Sequence, residues 1–181
     1  MRRLLVLLLA LALTGCGVPR DSQPRDIDDP QAQGSSGPLA ADAGTAIVRL
    51  YLVRDGMLVR VIRRVPTVQT PSGQLQQLLK GPTASESADG LTSALSTMEV
   101  IGMTIMNRRA TVNIAESADQ GARSDEVLAY GQIVCTLTSQ GADVGTVSFV
   151  RGGEPLAVPR ADGSLVDNSL TIADYAGLLE S

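Results

Sequence analysis

The chain has 181 residues, with 15 Lys and Arg against 19 Asp and Glu, a formal charge of −4. It contains no His, no Trp, one Phe and three Tyr. These absences exclude Ser-His-Asp and Cys-His catalysis and any His metal site. They leave almost no platform on which sugars or bases could stack, and the acidic balance argues against nucleic acid as a partner.

The chain opens with Arg2 and Arg3, followed by ten uncharged apolar residues (4–13, LLVLLLALAL) and then Leu13-Thr14-Gly15-Cys16. Ten residues are too few for a helix across a hydrocarbon core of ~30 Å, which needs ~20. A basic start, a short apolar run and small residues before a cut belong to a secretory signal. Here the pattern is that of a bacterial lipoprotein: cleavage between Gly15 and Cys16, with the Cys16 thiol taking a diacylglyceryl group. Two or three acyl chains anchor stably where one does not. The expectation is therefore a leader over residues 1–15 and a mature chain of 166 residues at the outer face of the cytoplasmic membrane, held by Cys16. Loss of Arg2 and Arg3 with the leader takes the formal charge from −4 to −6.

Residues 17–45 are rich in Pro, Gly, Asp, Gln, Ser and Ala, with Ile27 and Leu39 nearly the only large apolar groups. Such a segment buries too little surface to offset its ordering entropy, and it reads as a disordered stalk. A coil of this length spans on the order of 30 Å.

A folded domain is expected over residues 46–181. Residues 47–53 (IVRLYLV) and 58–65 (LVRVIRRV) read as a hairpin about an Asp55-Gly56 turn. Thr70-Pro71 reads as N-cap and first helical position, with Leu75, Leu78 and Leu79 at helical spacing and Gly81-Pro82 as the stop. Residues 83–96 show weak periodicity and read as irregular. A second hairpin pairs residues 98–106 with 110–114 across Asn107-Arg108-Arg109. Ser124 then reads as the cap of a helix with Asp125 and Glu126 in its first turn. Val127, Tyr130, Val134 and Leu137 form its buried stripe, which Leu128, Ile133 and Cys135 widen, and Gly141 ends it. Residues 144–150 read as a strand, 156–158 as a short one and 172–179 as a closing helix after Thr171. The order is β-β-α-β-β-α-β. It implies a two-layer α+β domain, a mostly antiparallel sheet with helices on one face.

The candidates for chemistry are few. Glu116, Asp119, Asp125 and Glu126 cluster before a helix, but their spacing matches no calcium loop and a helix start attracts acids in any case. No nucleophile elbow and no phosphate-cradling glycine loop occurs. With Cys16 given to lipid, Cys135 has no partner for a disulfide and reads as an inert core thiol. No metal or cofactor is implied. The first hairpin does carry a candidate surface. Val48, Leu50 and Leu52 share one strand face and leave Arg49 and Tyr51 on the other, while Arg60, Ile62 and Arg64 share a face opposite Val59, Val61 and Arg63. If helices cover the apolar side, Arg49, Tyr51, Arg60, Ile62 and Arg64 form an arginine-rich outer surface suited to an acidic partner.

Several segments taken together resemble the GerMN domain of spore germination and sporulation lipoproteins. They are Leu78-Leu79-Lys80-Gly81-Pro82-Thr83-Ala84, Gly90-Leu91-Thr92-Ser93-Ala94-Leu95, Ala110-Thr111-Val112-Asn113 and Gln132-Ile133-Val134-Cys135-Thr136-Leu137-Thr138. The likeness runs from about residue 46 to about 156. Ser96 departs from an expected proline, and Asn107-Arg108-Arg109 from a glycine-containing turn. A chain with a single lysine, Lys80, also suits an actinobacterial lipoprotein. The resemblance implies an extracytoplasmic α/β domain related in layout to ring-building modules of sporulation envelopes, with no established catalytic role. The expectation is a non-enzymatic docking or assembly module that binds an envelope protein or itself. A wall-glycan or small-ligand binder is the alternative, to be favoured by a pocket lined with Arg and Asn.

Overall fold

A computed structural model describes residues 46–116, 123–139 and 143–180. The expected leader, Gly15, Cys16 and the stalk lie outside the described residues, as do Asp119 and Gly141.

Strands β1 (Ala46–Arg54) and β2 (Met57–Val65) form an antiparallel hairpin. Asp55 and Gly56 at its turn have φ of 52° and 75°, the doubly left-handed geometry whose twist suits a two-residue loop. Helix α1 (Pro71–Leu79) begins as expected, with the Thr70 hydroxyl accepting from the Gly73 N–H and Pro71 in the first turn. It ends at Gly81, whose φ of 73° lets its N–H turn back to the Leu78 carbonyl.

Residues 83–96 are more ordered than their periodicity suggests. Helix α2 (Ala84–Ala88) is closed by a capping box between Thr83 and Glu86, and a 3-10 helix, η1, runs Ala94–Thr97. Helix α2 buries no residue, so it carries no apolar stripe to betray it. Thr83-Ala84-Ser85-Glu86 is the signal that was there to be found.

Strands β3 (Val100–Met106) and β4 (Arg109–Ile114) pair antiparallel about a turn in which Asn107 and Arg108 both have positive φ. Helix α3 (Arg123–Thr138) then crosses to β5 (Thr146–Arg151), which runs parallel to β4; parallel neighbours require such a crossover. The helix includes Ser124, which is therefore not its cap. Strand β6 (Glu154–Pro155) completes a four-stranded sheet ordered β3-β4-β5-β6. Two-residue strands β7 (Val158–Pro159) and β8 (Leu165–Val166) pair separately, and a 3-10 helix, η2 (Ile172–Leu178), closes the domain where a helix was expected. The α+β class and the antiparallel pairing are as read from sequence, with the strands divided among three sheets.

Helix α3 is the centre of the core. Residues 128–137 are all buried, polar Gln132 and Thr136 included. Tyr130 meets Phe149 of β5 edge to face, with ring centroids 4.8 Å apart. Gly131 allows a close approach: a Cβ there would lie 2.8 Å from Leu58 Cδ1 and 2.9 Å from Tyr175 Cδ1. Cys135 is fully buried, and burial pushes its thiol up to about 12, which leaves it inert as expected.

Candidate functional site

The hairpin register sets Ile47 against Arg64, Arg49 against Ile62 and Tyr51 against Arg60. Directly opposed residues share a sheet face, so the five expected residues do come together. Arg60 and Arg64 are exposed, Arg49 is half-buried, and Ile62 and Ile47 remain 57% and 49% exposed. Ile47 belongs to this face although the sequence reading passed over it.

Tyr51 does not belong to the offered surface. It is only 7% exposed, which corrects the expectation. Strand β1 is buried continuously over residues 50–53, so alternation fails at its centre. Helices α1 and α3 pack against β1, and on the edge of β1 away from β2 their side chains, with the bridge residue Thr92, satisfy the backbone. The Thr136 hydroxyl accepts from the Tyr51 N–H at 2.9 Å, and Gln132 Nε2 donates to the Tyr51 carbonyl at 2.9 Å. Gln74 Nε2 donates to the Arg49 carbonyl at 2.8 Å and to the Thr136 carbonyl at 2.7 Å. Val53 exchanges backbone hydrogen bonds of 2.9 and 2.7 Å with Thr92. Desolvation raises the Tyr51 phenol, with Arg60 and Arg49 pulling the other way. Gln74, Gln132 and Thr136 went unnoticed as a set; their signal is polar residues on helix faces that are otherwise apolar.

Arg63 is likewise not part of the exposed cationic face. It stands opposite Val48, on the core side, and reaches Glu86 through two bonds of 2.8 and 2.6 Å while donating to the Gln77 and Gly81 carbonyls. That hydrogen-bonded guanidinium holds the Glu86 carboxyl below its usual range. Most of the Leu78-to-Leu95 signature is explained by such structural work. Leu78, Leu91 and Leu95 enter the core, Gly81 and Gly90 take positive φ, and Thr83 and Ser93 cap the short helices.

Clefts lie elsewhere, among them one of about 480 Å³ lined by Arg160, Asp162 and Asp174 with neighbouring small residues. A second of about 480 Å³ is lined by Leu79, Lys80, Pro82, Ser87, Leu91 and Ser96 among others. Another, of about 310 Å³, is lined by Arg109, Thr111, Ser148, Asp167, Asn168 and Ser169 among others. Among the described residues no group of three or more Cys, Asp or Glu could hold a metal, and no helix is long and apolar enough to cross a membrane.

The family model described as "Germane: Sporulation and spore germination" matches residues 45–157, more than half of the chain. The chain belongs to this family. The structure resembles the first GerMN domain of the sporulation protein GerM from Bacillus subtilis, with a TM-score of 0.56 and 21% identity, over 70% of this chain and 98% of that one. It also resembles the tandem GerMN domains of the same protein, with a TM-score of 0.53 and 19% identity, over 78% of this chain. The match spans 49% of that longer chain. At these identities the likeness is one of fold. No curated protein matches the chain. The family description names a biological process and no reaction.

Proposed function

We propose that this chain is a lipid-anchored Germane-domain protein at the outer face of the cytoplasmic membrane, where it docks an envelope protein and catalyses nothing. The observation that carries this reading is the hairpin face. Two isoleucines about half exposed or more sit among Arg49, Arg60 and Arg64, on a chain whose overall charge is negative. None of the three guanidiniums has a role in the fold comparable to that of Arg63. Apolar groups ringed by cations suit an acidic partner with its own apolar contact. The family description supports a place in sporulation or germination. The leader ending in Leu13-Thr14-Gly15-Cys16 supports the anchor, with residues 16–45 as lipidated cysteine and stalk.

Cross-linking in intact cells, followed by capture of the lipidated chain, tests the docking. One specific envelope protein is expected, and exchanging Arg60 and Arg64 for Glu removes it. Unchanged capture from that variant rules the face out. The anchor has its own check: Cys16→Ala should abolish acylation and release the chain from membranes. The cleft holding Arg109 and Asn168 favours a second reading, a binder of a small polar ligand or wall glycan. Wall fragments retained in place of a protein adduct would select it.

A further inference from the structure

A sheet edge presents unpaired N–H and C=O groups, and proteins cover or charge such edges to prevent unwanted pairing. This domain does so in three places. The edge of β1 is closed by Gln74, Gln132, Thr136 and Thr92. The outer edge of β2 starts under the C-terminal segment, where Leu179 bridges Leu58 and the Glu180 N–H bonds to the Leu58 carbonyl at 3.0 Å. The rest of β2 carries exposed Arg60 and Arg64. Strand β6 has only two residues, both exposed, and one of them is Pro155.

Strand β3 is the exception. It is an edge strand of the four-stranded sheet, and no described residue pairs with its outer side. Its seven residues, VIGMTIM, carry no charge and no proline. Ile101 is 62% exposed, Ile105 38% and Met106 75%. The one irregularity is a register shift between Val100 and Gly102, after which residues 102–106 pair with β4 without interruption.

That uninterrupted stretch is self-complementary. Its middle residue is Thr104, and an antiparallel partner of the same sequence centred there sets Thr104 against Thr104. Met103 then faces Ile105 of the other copy, and Met106 lies over Gly102. Met103 and Ile105 stand opposite buried Val112 and Ala110, so they share the core-facing side, and the pairing would continue that apolar layer from one copy to the next. Threonine pairs and apolar pairs are favourable across strands. The same alignment brings exposed Glu99 of each copy beside the Asn107-Arg108-Arg109 turn of the other, so the flanking charges match as well. We propose that the β3 edge is a homotypic interface, at which two copies of this chain join their sheets by antiparallel pairing about Thr104.

A pair of such short strands buries less than the ~800 Å² per partner of a standard stable complex. The contact therefore forms where copies are concentrated, and for this it rests on the proposed anchor at Cys16. The test uses the full chain, its acylation read by mass spectrometry, reconstituted in phospholipid vesicles. Cross-strand Cα atoms lie roughly 4.5–5.5 Å apart, within the reach of a disulfide. Thr104→Cys should give a disulfide-linked dimer under mild oxidation, whereas the parent chain and exposed Thr67→Cys should not. Adding Met106→Asp, at a position too exposed to matter to folding, should remove the dimer. Glu99→Arg should weaken it, and Glu99→Arg with Arg109→Glu should restore it. Acylated chain that gives no dimer above the Thr67→Cys level overturns the pairing and leaves the anchor standing. A dimer that persists in the Met106→Asp variant, or a disulfide to some other polypeptide instead, also overturns it. Unacylated chain sinks the anchor alone; the cysteine pairs are then read on that chain with Cys16→Ser added throughout, at matched high concentration, with the same outcomes deciding.

Discussion

Gln132→Met tests whether side chains rather than a strand hold the free edge of β1. Methionine keeps nearly the volume of glutamine but has no amide. In the native protein Gln132 Oε1 accepts from the Ala94 N–H at 2.7 Å while Nε2 donates to the Tyr51 carbonyl at 2.9 Å. The substitution orphans a buried acceptor, the Tyr51 carbonyl, and a part-buried donor, the Ala94 N–H. Each orphaned group costs about 1–3 kcal/mol, so the pair costs about 2–6 kcal/mol. No longer desolvating the amide returns about 1–2 kcal/mol. The net expectation is a loss of about 1–4 kcal/mol, a large share of the 5–15 kcal/mol typical of a domain. For a domain of this size that corresponds to a fall in Tm on the order of 10 °C. Urea denaturation with an unchanged m-value measures it, and faster hydrogen exchange at the Ala94 amide locates it. A loss below about 0.5 kcal/mol, the size of an ordinary surface change, would refute the claim that these bonds close the edge.

Gly131→Ala should destabilise by about 1–3 kcal/mol through overpacking, although alanine is the better helix former by about 1 kcal/mol; a raised Tm would mean that Leu58 and Tyr175 can move aside. The folded-state pKa of Glu86 lies below its ordinary 4.5, chiefly through Arg63. The ion pair therefore contributes fully above about pH 4.5, and that contribution is lost as pH falls through the lower folded value. Glu86→Gln should lower stability at neutral pH and flatten the decline below pH 4.5, measured as urea midpoints against pH; an unaltered acid limb contradicts the assignment. Cys135, with its thiol pushed up to about 12, should resist iodoacetamide at pH 8 in the folded chain and react fully in urea. Modification of the native protein at the rate of a free thiol would show that helix α3 opens.

Local signals were the legible ones. Asp55-Gly56, Thr70-Pro71 and Gly81 each specify a backbone geometry by themselves, and the structure uses all three as read. Helix α3 was legible because apolar residues recur at helical spacing up to Leu137, but the expected stripe is not what is buried: every face of residues 128–137 is, while Val127 is only half-buried. What escaped was whatever depends on a neighbour from a distant part of the chain. Tyr51 follows the period-2 pattern of an outward residue yet is buried, and the side chains that bond its backbone, Gln132 and Thr136, come from more than 80 residues away. Arg63 was legible as lying on the same face as Val59 and Val61, but its ion pair with Glu86, 23 residues on, was not. The β4–β5 pairing escaped too, because parallel neighbours are joined through a helix and leave no turn to read. For the candidate surface, the face was legible and its membership was not: Arg49, Arg60, Ile62 and Arg64 stay, Ile47 enters and Tyr51 leaves.

The hairpin face and the β3 edge differ in physics, and salt separates them. Arg49, Arg60 and Arg64 act through charges on an accessible face, where attraction is screened over about 8 Å at physiological ionic strength and about 3 Å at 1 M. Docking on that face should weaken steeply as salt rises, mostly through slower association. Strand pairing at β3 draws on backbone hydrogen bonds and on Met103, Ile105 and Met106, with Glu99 and Arg109 only at the ends. Apolar contacts persist at high salt, so the dimer should lose little there. Salt raised from 0.15 to 1 M that strips the envelope partner, while the Thr104→Cys disulfide still forms to the same extent when oxidation is carried out at 1 M, assigns the two contacts to two surfaces. Parallel loss of both points to a single charged interface and removes the uncharged edge as the site of self-pairing.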